Sequence, residues 1–209
     1  MNVLLINGSP HEKGCTYTAL SAVAEELEKQ GVQTEILHVG TDPIRGCIAC
    51  GGCARSGKGR CVFNDDRVNL ALEKAEKAEG FVFGSPVHYA AASGAITSFM
   101  DRMFYSGGAC LAYKPAAAIA SCRRGGASAA FDQLNKYFSI NNMPIVSSNY
   151  WNMVHGNTPE EVLQDEEGIQ TMRLLGRNMA WLIKAIRAGI AAGVNCPERE
   201  PKIKTNFIR

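Results

Sequence analysis

Five short apolar runs, separated by segments of helical periodicity, constrain this chain more than any other feature. The first run spans residues 3–6 and breaks at Asn7-Gly8-Ser9-Pro10. After Gly14, Tyr17, Leu20, Val23, Ala24 and Leu27 recur at three- and four-residue steps, while Glu25, Glu26, Glu28 and Lys29 take the other face. Gly31 is a natural helix stop. Residues 32–39 alternate and read as a second strand. Residues 80–86 form a third, ending in Gly84-Ser85-Pro86, residues 115–121 a fourth and residues 143–148 a fifth. Helices fill the gaps. One carries Val68, Leu70, Leu72 and Ala75, with Asp65-Asp66 placed to begin it because acidic groups favour a positive helix N-terminus. Another carries Ile96, Phe99, Met100 and Met103, and a third covers 126–138. A last long helix lines up Ile169, Met172, Leu175, Met179, Leu182, Ile183, Ile186 and Ile190.

Strands alternating with helices imply a parallel sheet covered on both faces. Right-handed crossovers then leave few topologies. The expected fold is α/β, a three-layer doubly wound five-stranded parallel sheet of flavodoxin-like type, order 2-1-3-4-5. One domain is expected over 1–209, with a cysteine-rich loop at 46–66 and a C-terminal helix plus tail at 163–209. In such sheets ligands bind beyond the carboxyl ends of the strands, near the switch point. The loops at 7–18, 84–94 and 121–128 should therefore carry the site.

A net charge of +2 gives no reason to expect a nucleic-acid partner. No run of 18 apolar residues is present, so no membrane span is expected. The opening residues lack the basic flank and length of a secretory signal, which makes a cytoplasmic location the expectation. In a reducing compartment, eight cysteines are not a disulfide framework.

Four of the eight, Cys47, Cys50, Cys53 and Cys61, stand at gaps of two, two and seven residues. Gly46, Gly51, Gly52, Gly57 and Gly59 make this stretch a loop and permit tight turns. Four thiolates suit an iron-sulfur cubane or tetrahedral zinc. Three cysteines at two-residue steps favour a cluster over the two separated pairs of a structural zinc site. Cys61 is not followed by Pro, unlike the bacterial ferredoxin run. The alternative is a lid without metal, in which Cys50 and Cys53 turn inward as packing groups. Cys15, Cys110, Cys122 and Cys196 are scattered and read as small buried hydrophobes.

In the first loop, Gly8 and Gly14 let the backbone turn, and Ser9, Thr16 and Thr18 offer hydroxyls. Free amides and a partial positive charge at the following helix start make an anion site, to which His11 and Lys13 add charge. The segment is neither a Gly-x-Gly-x-x-Gly fingerprint nor a P-loop. It also fits an ordinary strand-to-helix turn with Thr16 at or near the N-cap.

"LLINGSPHEKGCTYTAL" resembles the opening of the flavodoxin-like NAD(P)H-dependent FMN reductases, and "GFVFGSPVHYAAASGAITSFMDR" resembles their second signature. Order and spacing agree from residue 1 to about residue 150. The cysteine stretch resembles the compact motif of iron-sulfur flavoproteins. The resemblance implies phosphate contacts from Ser9, His11, Cys15, Thr16 and Tyr17, with His11 in place of the usual arginine and Cys15 in place of asparagine. It implies that Ser85, Pro86, Val87, His88 and Tyr89 wrap the isoalloxazine edge, His88 standing where the family has tyrosine. Tyr89 equally suits a partly buried core aromatic. Cys122, Arg123, Gly125 and Gly126 belong to the third loop, where the glycines let backbone approach the ring. Arg123 or Arg124 could offset negative charge on reduced flavin or meet a dinucleotide phosphate. The pair could also be solvated surface arginines. Trp151 and His155 either line the substrate side or, for Trp151, pack a subunit contact; His38 reads as a strand residue.

The resemblance implies an FMN-dependent oxidoreductase that moves reducing equivalents from NAD(P)H to a flavin, a quinone, another small molecule or a redox protein. The flavin carries the chemistry and no catalytic side chain is required. The rival is an iron-sulfur flavoprotein that transfers electrons through FMN and a 4Fe-4S cluster. A third reading is a non-enzymatic FMN-binding module or redox sensor. A homodimer or homotetramer is expected, built partly by the last helix and a tail containing Phe207 and Ile208.

Overall fold

The apolar run after Met1 forms β1 (Asn2–Asn7), buried from Val3 onward. A strand without polar alternation needs cover on both faces, and the rest of the chain supplies it. In order follow α1 (Cys15–Lys29), β2 (Gln33–His38), α2 (Gly52–Ser56), α3 (Val68–Lys77), β3 (Gly80–His88), β4 (Ala91–Ala92) and α4 (Gly94–Leu111). Then come β5 (Ala116–Cys122), α5 (Ala127–Ile140), β6 (Met153–His155), α6 (Pro159–Gln164) and α7 (Glu166–Ala191). The structure is a computed structural model that describes residues 1–203 together with Thr205 and Phe207. Ile208 lies outside the described residues; Phe207 is exposed.

The sheet runs β2-β1-β3-β5-β6, all parallel, with β4 paired antiparallel to the end of β3. Without the two-residue β4, this is the expected 2-1-3-4-5 order. One face packs Leu4, Ile6, Phe81 and Phe83 against Leu72 of α3, Phe99 and Met103 of α4, and Phe138 of α5. The other packs Val3, Leu5, Val82 and Ile119 against Leu20 and Leu27 of α1 and Met172, Leu175 and Met179 of α7. Three layers result, and the carboxyl ends of the strands form one edge.

The fifth strand differs from expectation. Residues 143–148 contribute only a bridge between Ile145 and Ala116, with Ala116 N–H to Pro144 O and Val146 N–H to Ala116 O, both 2.9 Å. The Ser148 hydroxyl then donates to Tyr150 O at 2.7 Å, bending the chain out. Short polar side chains that bond nearby backbone compete with a strand ladder in this way. Pairing resumes at β6, three residues long, against Ala120–Cys122. The α2 and α6 helices are five and six residues long, too short for periodicity to announce them. The α3 helix starts at Val68 rather than at Asp65, because Asp66 Oδ1 accepts the Val68 N–H from outside, at 3.0 Å. Cys122 is buried as expected, but Cys196 is exposed and Cys15 and Cys110 are half-buried. Among the described residues no helix is long and apolar enough to cross a membrane.

Candidate functional site

The carboxyl edge of the sheet is knitted together from four segments. Gly8 N–H donates to Gly84 O at 2.9 Å, and the Ser93 hydroxyl donates to Gly8 O at 2.8 Å. Ser93 N–H in turn reaches Ser85 Oγ at 2.9 Å, tying the first loop to both ends of the second. A Cβ on Gly8 would sit 2.5 Å from Ile96 Cβ, so only glycine permits this approach. Thr16 Oγ1 and Ser121 Oγ lie 2.7 Å apart, joining α1 to the end of β5. The Cys15 thiol donates to Gly156 O at 3.7 Å, and Gly156 N–H donates to Cys122 O at 3.1 Å. Gly126, at φ 90°, packs against Val87 and Ala90, so the third loop closes on the second.

Within the first loop the backbone is held from inside. Asn7 Oδ1 accepts from Ser9 N–H at 3.1 Å, its amide donates to Glu12 O at 2.9 Å, and Ser9 Oγ accepts from His11 N–H at 3.1 Å. His38, at the end of β2, hydrogen-bonds Ser9 O through Nε2 at 2.8 Å. It is a strand residue as expected, but its ring also props the loop. Pro10, His11, Glu12 and Lys13 are exposed, while Ser9 is buried.

The helices α1 and α5 start at this edge, and like α2 and α3 they start without a side-chain cap. The N-cap of α1 is Gly14, not Thr16, and no side chain caps it. The Cys15, Thr16 and Tyr17 amides have no hydrogen-bond acceptor among the described residues. The N-cap of α5 is Gly126, likewise without a side-chain cap, and neither helix has an acidic residue in its first turn. By contrast Ser93, Thr158 and Asp165 cap α4, α6 and α7 with their own side chains. Bare amides with a positive helix end beside a tight loop suit a phosphate. The residues here fit the phosphate that the family resemblance implies. Thr16 fits through its amide, since its hydroxyl is buried against Ser121. Burial pushes the Cys15 and Cys122 thiols up from their ordinary range, so both stay neutral.

Along the second loop, Ser85 is buried, Pro86 and Val87 are half-buried, and His88 and Tyr89 are exposed. Tyr89 and Ala90 have φ values of 50° and 58°, a two-residue turn between β3 and β4 with both centres left-handed. The turn carries Tyr89 fully into solvent, which removes the core-aromatic alternative. Arg123, Arg124 and Gly125 are exposed on the third loop. On the neighbouring strand, His155 N–H donates to Asp165 Oδ2 at 2.7 Å, and its Nδ1 lies 3.5 Å from the same oxygen. Trp151 is exposed, its ring tilted at 60° to that of Tyr150 with the centroids 4.8 Å apart.

The four clustered cysteines line one cavity of about 210 Å³, walled otherwise by Ile48, Val62, Phe63, Arg102 and Tyr105. Left-handed backbone at Ala49, Gly51, Gly57 and Gly59 turns the chain around it. The α2 helix lies between Gly51 and Gly57 and carries Cys53. Asn69 of α3 accepts the Cys61 N–H at 2.9 Å and donates to the carbonyls of Cys61 and Phe63, both at 3.0 Å. From α4, Arg102 donates through Nε to Cys61 Sγ at 3.3 Å and through Nη2 to Phe63 O at 3.2 Å. Burial works against the Arg102 charge, but hydrogen bonds to Asp66 and Cys61 outweigh it and raise its pKa. The thiols share a cavity rather than a point: no three metal-ligating side chains converge among the described residues. An all-thiol donor set, free of disulfides, fits iron-sulfur or zinc.

Sequence reasoning did not single out Asn7, His38, Ser93, Ser121 and Arg102 as site residues. Ser93 had a signal, a serine directly before a helical pattern. Arg102 stood in the quoted Asp-Arg ending of the second signature.

The model of the family described as NADPH-dependent FMN reductase matches residues 1–158. An iron-sulfur flavoprotein of Methanocaldococcus jannaschii is 33% identical over 90% of this chain and 100% of its own length. A structure of RosB with bound 8-demethyl-8-formylriboflavin-5'-phosphate is similar at a TM-score of 0.70 and 14% identity, covering 100% of this chain and 93% of that one. A flavodoxin from the domain Archaea gives 0.60 and 15%, covering 88% and 99%. The two structures bear on the fold, while the family model and the archaeal relative bear on descent. The chain belongs to the NADPH-dependent FMN reductase family and is an FMN-dependent oxidoreductase.

Proposed function

We propose that the three loops at the carboxyl edge hold FMN, that Cys47, Cys50, Cys53 and Cys61 hold a 4Fe-4S cluster, and that NADH or NADPH is the electron donor. The acceptor in this reading is a small molecule or a redox protein. When bound, the flavin supplies hydride and single-electron chemistry, and the cluster supplies single-electron storage.

The observation that carries the reading is the course of α4. Its N-cap, Ser93, bonds Gly8 and Ser85 in the flavin loops, and its Arg102 reaches the cysteine cavity. Nine residues at 1.5 Å each separate them by about 13 Å along the helix axis. One rigid element thus joins the two candidate sites.

The chain's own residues then have distinct tasks. The Cys15, Thr16 and Tyr17 amides and the Ser9 turn take the phosphate, with His11 and Lys13 adding positive charge in solvent. Ser85, Pro86, Val87, His88 and Tyr89 bound one side of the ring, and Cys122, Arg123, Gly125 and Gly126 the other. An arginine at the third loop offsets negative charge that grows on reduction.

Anaerobically purified protein should contain FMN, iron and acid-labile sulfide. Each single Cys→Ala change at the four positions should lower iron sharply while FMN is retained. Full FMN with neither iron, sulfide nor zinc would leave the stretch as a metal-free lid. Assembly as a homodimer or homotetramer is part of the proposal, motivated by Trp151, Trp181, Ile190 and Phe207 left exposed. A monomer mass by light scattering, with FMN bound, contradicts that part.

A further inference from the structure

Arg102 heads the largest fully buried side chains, 1% exposed. A guanidinium out of water is costly unless it is paired and hydrogen-bonded. Arg102 Nη1 pairs with Asp66 Oδ2 and also donates to Arg45 O at 3.5 Å, while Nη2 donates to Phe63 O at 3.2 Å. Arg45 precedes Cys47 and Phe63 follows Cys61, so one side chain grips both ends of the cysteine stretch. Asp66 supplies the countercharge and the carbonyls supply the grip. The remaining bond, from Nε to Cys61 Sγ at 3.3 Å, is required for neither.

Cys61 is the one cysteine of the four with a cationic donor on its sulfur among the described residues. The Cys53 thiol lies instead against a carbonyl, Tyr105 O, at 3.9 Å. Hydrogen bonds to ligand sulfurs and the local net charge are the means by which a protein tunes a cluster. A donor carrying positive charge favours the more negative, reduced form over the oxidised one. A carboxylate beside that donor works the other way.

We propose that Arg102 is a positioning residue that raises the reduction potential of the centre held by the four cysteines, acting through the Cys61 sulfur and opposed by Asp66. The inference rests on the cluster reading above. It makes the Arg102–Asp66 pair a setting for the direction of electron flow along α4.

The test is an EPR-monitored redox titration of the anaerobic, iron-loaded protein. Arg102→Gln removes charge and donor and should shift the potential downward. Arg102→Lys keeps the charge without the planar fork and should fall between Arg102→Gln and wild type. Asp66→Asn leaves Arg102 uncompensated and should shift the potential upward; its amide oxygen can still accept the Val68 N–H. Shifts of opposite sign at two residues in contact are not produced by a loosened loop. Should Arg102→Gln fail to fold, as judged by FMN content and thermal melting, Arg102→Lys and Asp66→Asn still test the sign. Potentials equal to wild type, or shifts of one sign in all variants, overturn the proposal. Wild-type protein that takes up no iron removes the cluster reading and the proposal together. Iron-loaded variants with unshifted potentials remove the proposal alone.

Discussion

The hydroxyls of Thr16 and Ser121 lie 2.7 Å apart, on residues 1% and 4% exposed, and join the first turn of α1 to the end of β5. Each hydroxyl has the other as its hydrogen-bond partner. Thr16→Val therefore strands the Ser121 hydroxyl in the interior and should cost about 1–3 kcal/mol of stability. Because Thr16 would serve the phosphate through its amide, FMN affinity should change far less than stability does. Ser121→Ala should cost a similar amount, and the double variant less than the sum of the two, since both remove one bond. Denaturant unfolding with FMN titration measures both. A large loss of FMN affinity at unchanged stability would return the hydroxyl to the ligand.

Gly8 offers a steric test of the same edge. A Cβ there would lie 2.5 Å from Ile96 Cβ and 2.9 Å from Gly84 O, both parts of the packed framework. Gly8→Ala must push the first loop away from α4 and the end of β3, at the point where Gly8 also bonds Gly84 and Ser93. Overpacking of this kind costs about 1–3 kcal/mol. If the displaced loop holds FMN, affinity should fall about tenfold for each 1.4 kcal/mol passed on to binding. The check is FMN retained through gel filtration, beside the melting temperature. Wild-type retention would place the cofactor elsewhere.

The sheet order was legible because residues 3–6, 80–86 and 115–121 are apolar without alternation, which only a doubly covered parallel strand demands. The fifth strand was misplaced for a physical reason. Residues 143–146 are also apolar, but Ser148 bonds its own neighbourhood and pairing moves to Met153–His155. The loops of the candidate site were legible by their position after strands. Thr16 and His38 show what was not legible. Whether a hydroxyl turns to a ligand or to Ser121, and whether a strand-end ring reaches Ser9 O, depends on neighbours distant along the chain. The cysteine spacing pointed to a shared site, and the four thiols do share a cavity. The spacing carried no sign of Arg102, which meets Cys61 across 41 positions of sequence.

Tyr137 should titrate above the ordinary tyrosine range. Burial, and then a 2.6 Å hydrogen bond to Asp101 Oδ1, hold its phenol well above the ordinary tyrosine range. A raised folded-state pKa contributes stability that is fully present below the unfolded value, about 10. That contribution is lost as pH rises through the folded-state value. An ultraviolet pH titration should show a phenol that ionises above the ordinary tyrosine range, and Tyr137→Phe should abolish that late step. Tyr137→Phe should also lessen the fall in stability above about pH 10. Ionisation of all tyrosines in one ordinary step would contradict the assignment.

The α1–α7 contact supplies the opposite pH dependence. Glu26 is 5% exposed and accepts from Arg177 Nε at 3.0 Å, with Lys29 Nζ 3.6 Å away. The hydrogen bond from Arg177 holds its carboxyl below the usual glutamate range, against the effect of burial. A depressed folded-state pKa gives stability that is present above the unfolded value, about 4.3, and lost as pH falls through the folded one. Arg177 is itself 53% exposed, so solvent screening reduces the pair's worth. Arg177→Met should cost about 1–2 kcal/mol at neutral pH, mostly from leaving the Glu26 carboxylate short of a partner. As pH falls below the depressed folded-state value, the carboxylate is protonated in both proteins, and their stabilities should converge. Urea midpoints at neutral and acid pH decide the matter. A difference that stays constant across the range would mean that Arg177 acts through the packing of its aliphatic stem on α1 rather than through its charge.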